Sequence, residues 1–351
     1  MKVLARRLPK QPAMHRIITV CLVTVTMLFI KSASCAEAPT LALERTILLG
    51  DVKGRIDHLA VDPGRQRLFV AELGNDTVGV VDLRTNQVRQ RIADLQEPQG
   101  LGYSRSTDTL YVANGGDGSV RLFKGDELKP VASLKLGGDA DNVRIDQASG
   151  TVLVGYGSGA IAVIDAKTHS RMRDIPLDGH PESFQIGPSN SRIYINVPEA
   201  RQIAIVDRQS GHAARILPIT DARSNFPMAL DEDAQHLLVV FRDPPLLRTM
   251  TLDGQRVADV EVCRDSDDVF VDGKRHRLYV ICGQGAIDVL GEHGERLARV
   301  VTNGGARTGL FVPELDRLFV AVPSRGGRKA AILVFRPDNA ASHESSPTEK
   351  R

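Results

Sequence analysis

Tryptophan is absent from this 351-residue chain, and the aromatic residues together make up only 4% of it. An excess of one charge is lacking too: 45 basic residues face 43 acidic ones, for a net charge of +2. Such a balance builds no strong field toward nucleic acid or an anionic membrane. The basic residues are also scattered instead of striped with aromatics, so no nucleic-acid partner is expected. The chain has no Cys-x-x-Cys-His for a c-type haem and no Gly-x-Ser-x-Gly elbow for a hydrolase nucleophile. Long apolar runs are missing except for Ile17 to Ile30, which is short for a membrane span.

That one run has its own reading. Lys2, Arg6, Arg7, Lys10 and Arg16 precede it, and Ser32, Ala33, Ser34 and Ala36 follow, which is the layout of a cleavable signal peptide over residues 1–36. Lipidation at Cys35 is the rival, but Ser32 is polar where a lipobox carries Leu. A twin-arginine signal at Arg6-Arg7 is disfavoured by the Pro9, Lys10 and Gln11 that follow. Export to the periplasm or the medium is therefore expected, with no membrane span in the mature chain. Cys21 and Cys35 would leave with the signal. Cys263 and Cys282, alone in an oxidising compartment, are expected to form one disulfide.

What the chain does have is a repeat. The segment Leu59-Ala-Val-Asp62 recurs in pattern as Leu101-Gly-Tyr-Ser104, Val143-Arg-Ile-Asp146 and Phe184-Gln-Ile-Gly187. It continues as Met228-Ala-Leu-Asp231, Val269-Phe-Val-Asp272 and Leu310-Phe-Val-Pro313, so that seven units follow one another at intervals of 41 to 44 residues. Within each unit, short β-rich runs alternate with Gly, Asn and Asp turns, as in four-stranded propeller blades. The seventh unit lacks a fourth strand, and Glu44-Arg-Thr-Ile-Leu-Leu49 at the other end resembles one. Open sheet edges are a liability, so the N-terminal strand is expected to complete the last blade. The expectation is an all-β, seven-bladed propeller over residues 37–338, with a disordered Ser-, Glu- and Lys-containing tail over 339–351.

Leu110-Tyr-Val-Ala-Asn114 with Gly118-Ser-Val-Arg-Leu122, and Phe69-Val-Ala-Glu-Leu73 with Asn75-Asp-Thr-Val-Gly-Val-Val-Asp82, resemble the YVTN repeat of YncE-like propellers. The likeness covers residues 41 to 336 and implies a seven-bladed propeller in the periplasm or at the cell surface. Units five and seven depart from it, at Val239-Val-Phe-Arg-Asp-Pro-Pro245 and Pro323-Ser-Arg-Gly-Gly327. Lack of Trp argues against the Trp-docked blades of quinone-dependent dehydrogenases. A fold of this kind does not specify an activity.

In a propeller, the loops entering each first strand meet at one mouth of the central channel. The residues just upstream of those strands are Asp57-His58, Gln99-Gly100, Asp141-Asn142, Glu182-Ser183, Phe226-Pro227, Asp267-Asp268 and Arg307-Thr308, with Asp139 and His180 slightly earlier. Asp57, His58, Gln99, Asp141, Asn142, His180, Glu182, Asp267 and Arg307 are thus the candidate ligand-binding set. Asp57, His58, Asp141 and Glu182 could hold a divalent metal, Ca²⁺ or Mg²⁺ on the oxygens or Zn²⁺ with the histidine. The alternative is ordinary loop chemistry, since Asp, Asn and Gly also cap backbone amides ahead of strands. Asp82, Asp165 and Asp207 at the ends of third strands read as turn formers. Gly155-Tyr-Gly-Ser-Gly159 suggests a phosphate loop, but no helix follows it. Two functions fit: a monomeric binding scaffold for a ligand or periplasmic protein, or a metal-assisted, lactonase- or lyase-like enzyme acting on a small polar substrate.

Overall fold

The structure is a computed structural model, and it describes residues 40–187 and 191–338. The expected signal peptide over 1–36, the expected tail over 339–351 and residues 188–190 lie outside the described part. Seven antiparallel sheets of four strands each make up the fold. In blades one to six the strands run in chain order, from Leu59–Asp62 at the start of blade one to Arg296–Val301 at the end of blade six. The innermost strands touch one another in sequence around the ring, and the first also touches the last, Gly309–Val312.

The seventh blade is assembled from both ends of the chain. Gly309–Val312, Arg317–Val322 and Ala330–Pro337 come from the C-terminal side, and Leu41–Gly50 supplies the outer strand. Pairing runs from Leu41 opposite Pro337 to Gly50 opposite Ala330. Ile47 and Leu49 enter the core between blades seven and one, Leu41 enters the core between blades six and seven, and Arg317 forks onto Glu44.

The repeat explains the packing. Successive side chains of a strand point to opposite faces of its sheet, and every blade has a neighbour on each face. On Thr109–Asn114, Leu110 and Val112 pack toward blade one while Tyr111 and Ala113 pack toward blade three. The continuous apolar runs thus feed two cores at once, and seven apolar clusters result, one per blade junction. Outer strands face solvent and alternate: Gln87–Ile92 exposes every second side chain. Asp82, Asp165 and Asp207 each accept two backbone N–H groups from the following turn, the role expected of them.

The inner strands of blades two, five and six are longer than the repeat suggests. They begin at Pro98, Arg223 and Ser266, each with a bulge that lets the extra residues stay paired with the second strand. Gln99 and Asp267 therefore lie on bulged strand ends and not in loops. A bulge redirects side chains without ending the ladder, which is how these positions still turn toward the mouth.

Candidate functional site

The mouth is built by one hydrogen-bond device repeated around the ring. The N–H of Asp57 donates to Ala71 O at 2.8 Å, that of Asp141 to Gly155 O at 2.9 Å, and that of Glu182 to Asn196 O at 3.1 Å. Each pins an acidic residue against the second strand of its own blade, at the same offset in blades one, three and four. Two glycines allow the close approach. A Cβ on Gly100 would sit 2.0 Å from Asp141 O, and one on Gly115 would sit 1.9 Å from Gln99 Nε2. Neither position can carry a side chain without displacing a mouth residue.

Asp57, His58, Asp141, Glu182, Asp267 and Arg307 form one interacting cluster. His58 Nε2 lies 3.7 Å from Asp141 Oδ1 and 3.9 Å from Asp57 Oδ1. Arg307 reaches Asp267 at 3.1 Å and Asp265 at 3.2 Å. Asn142 is buried behind this group, its Oδ1 without a hydrogen-bond partner, as is Asp141 Oδ1. Gln99 and His180 stand to one side. Gln99 donates to Asp139 at 3.1 Å, and His180 Nδ1 lies 2.6 Å from Gly157 O and 3.8 Å from Asp139.

Three arginines absent from the sequence-based set complete the cluster. Arg55 pairs with Asp57 at 2.7 Å. Arg242 comes from the end of blade five's second strand, lies 4.1 Å over the Phe226 ring, and bonds Asp267 and the Ser266 carbonyl. Arg144 projects from blade three's inner strand, 5.6 Å from the Phe184 ring. Alternation along Val143–Asp146 was the available signal for Arg144. Nothing in the repeat pointed to Arg242, because it sits at a strand end beside Pro244 and Pro245, where unit five departs from the motif.

Enclosure dominates the electrostatics. Burial raises the pKa of Asp57, Asp267 and, well above the ordinary range, Asp141 and Asp268. Glu182 is pushed up to about 7, by burial first and then by Asp267, against the opposing pull of His180, Arg242 and Arg55. His58 is lowered to about 4 by burial and by Arg144, and is neutral at ordinary pH. Burial disfavours the charge on Arg55, yet Asp57, Asp267, Asp141 and Glu182 hold its pKa above normal. Among the described residues, no group of three His, Cys, Asp or Glu side chains is arranged to hold a metal ion. Of the candidate metal set, Asp57 is paired with Arg55.

Below the mouth, the inner strands line a cavity of about 460 Å³ to which His58, Arg144 and Asp268 all contribute. Its volume lies within the range of small-molecule sites. The second-strand loops on this face are committed elsewhere. Asn75 bonds Lys53 N and Asp51 O, Asn114 bonds Ser119, and Asp117 caps Ser119 N. The Tyr156 hydroxyl accepts from Arg171 of the outer strand. Cys263 and Cys282 form a disulfide, and Cys282 lies opposite Ser266 at the start of blade six's inner strand.

No family model matches this chain, and no curated protein matches it either. Among solved structures, a chain of Kuenenia stuttgartiensis hydrazine synthase is similar in fold, with a TM-score of 0.72 and 18% identity. The likeness covers 82% of this chain and 98% of that one. Among the described residues, no helix is long and apolar enough to cross a membrane.

Proposed function

We propose that this chain is an exported, YncE-like propeller that binds a small ligand at its channel mouth and in the cavity beneath, without turning it over. The observation that carries the reading is the mixed cluster of carboxylates, arginines and neutral His58 at the head of a channel cavity of about 460 Å³. Structural ion pairs need no cavity, and loop caps need no arginines aimed at one another's carboxylates. Export is supported by the Cys263–Cys282 bond, since disulfides persist in oxidising compartments. The YncE-like assignment rests on the YVTN-type runs quoted above. The enzyme named for the structural neighbour carries no activity to this chain at 18% identity.

A small-molecule panel read by thermal shift tests it. A ligand present at a hundred times its Kd should stabilise the folded chain by about 2.7 kcal/mol. The gain should vanish in the double variant Asp141→Ala/Glu182→Ala while the circular dichroism spectrum is unchanged. Ligand stabilisation that survives in that variant would place binding elsewhere. A stoichiometric divalent metal in the purified chain, lost in the same variant, would instead favour a metal-assisted enzyme.

A further inference from the structure

Three of the four arginines at the mouth are neutralised by carboxylates: Arg55 by Asp57, Arg242 by Asp267, and Arg307 by Asp265 and Asp267. Arg144 is different. Its guanidinium donates to the carbonyl of Val143 at 3.0 Å and to Ser183 Oγ at 3.5 Å, and it takes part in no ion pair among the described residues. Asp268, the acid whose field bears most on it, is already engaged by Gly309 N at 2.8 Å. A guanidinium has five N–H donors in a planar fork, so a bidentate edge remains available. A charged, half-buried guanidinium with no carboxylate partner is completed when an anion joins it.

The cavity wall defines that anion. Arg144 is the sole Lys or Arg lining it, so one anionic group finds a cation there and a second charge would be left buried without a partner. Deeper in the channel, Val61, Ile186, Leu230, Val271 and Leu310 contribute an aliphatic wall. We infer that the channel takes a small amphipathic monocarboxylate, its acid group forked onto Arg144 and its apolar body directed down the aliphatic wall. This rests on the binding reading above and narrows it to a ligand class. Ser183 fixes the guanidinium edge, and the Phe184 ring supports its face.

The test uses the full chain with hexanoate and benzoate as probes, and benzyl alcohol, benzylammonium and inorganic phosphate as controls. Each is supplied at about 10 mM, above the affinity expected of so small a ligand. Both carboxylates should raise the melting temperature and slow phenylglyoxal modification of Arg144, read by mass spectrometry, and phosphate should do neither. Arg144→Gln should weaken carboxylate binding by about tenfold or more, the loss expected for a charge-assisted bidentate contact. If Arg144→Gln fails to fold, the protection experiment on the unaltered chain decides. Unchanged reactivity and melting with both carboxylates would overturn the inference, as would equal binding by Arg144→Gln. Binding of benzylammonium that depends on Asp141 and Glu182 would remove the carboxylate assignment and leave the mouth reading standing. Probe binding indifferent to Arg144, Asp141 and Glu182 alike would remove both.

Discussion

Replacing Glu182 by glutamine should stabilise the ring at pH 8 and leave it unchanged at pH 4. Burial and the neighbouring Asp267 raise this carboxyl from its ordinary 4.5 to about 7, although His180, Arg242 and Arg55 pull the other way. The folded state therefore holds the proton more tightly by about 3 kcal/mol, at about 1.4 kcal/mol per factor of ten. Below pH 4.5 the group is protonated whether folded or not, so no penalty exists. Between 4.5 and 7 the unfolded chain has released its proton while the folded one retains it, and stability falls as pH rises. Above 7 the whole penalty is present. Glutamine mimics the neutral acid at every pH, so the variant's advantage should grow from zero near pH 4 to about 3 kcal/mol at pH 8. Urea unfolding followed by far-ultraviolet circular dichroism measures it, a suitable probe since no tryptophan is present. Parallel pH profiles, or a variant less stable at pH 8, would mean that Glu182 is held as a charged partner of Arg55 and Arg242. The reasoning from enclosure would then be wrong.

Three further outcomes are expected. Deleting residues 37–50 removes Leu41, Ile47 and Leu49 from two blade junctions and bares the edge of Ala330–Pro337. At about 1.5–3 kcal/mol per buried side chain, the loss of roughly 5–9 kcal/mol approaches a whole domain's stability. A truncated chain that melts like the intact one and stays monomeric in light scattering would refute closure by this strand. Changing Cys263 and Cys282 to serine opens a loop with a sequence separation of 19 and should cost about 3 kcal/mol, and an unshifted urea midpoint would count against it. His58, lowered to about 4, should remain neutral through pH 6 in a nitrogen-15 NMR titration. The sign follows from that shift: stability is present above pH 6.5 and drains away as pH falls toward 4, and a midpoint near 6.5 would show the ring to be solvated.

Architecture was legible because a propeller is a periodic object. Each unit of 41 to 44 residues encodes its own four strands, turns and two packing faces, so pattern alone sets blade number and strand order. The missing fourth strand of unit seven and the spare strand at Glu44 to Leu49 could only be satisfied by each other, as the pairing of Leu41–Gly50 with Ala330–Pro337 bears out. The strand bounds at the mouth were less legible. The bulges before Leu101, Met228 and Asp268 are local departures from the period, and they placed Gln99 and Asp267 on strands.

The sequence by itself determined which blade each mouth residue belongs to, since equal offset before equivalent strands becomes proximity once the ring closes. Asp57, Asp141 and Glu182 hold the same offset in their blades and act on one another electrostatically. Only the tertiary structure decided what charge those groups carry and which are already paired. Arg55, Arg144 and Arg242 arrive from three different kinds of position: a loop, an inner strand and the end of a second strand. Their pairing depends on side-chain reach across blades, which no repeat encodes. Protonation depends on enclosure by all seven blades at once, and so it exists only in the closed ring.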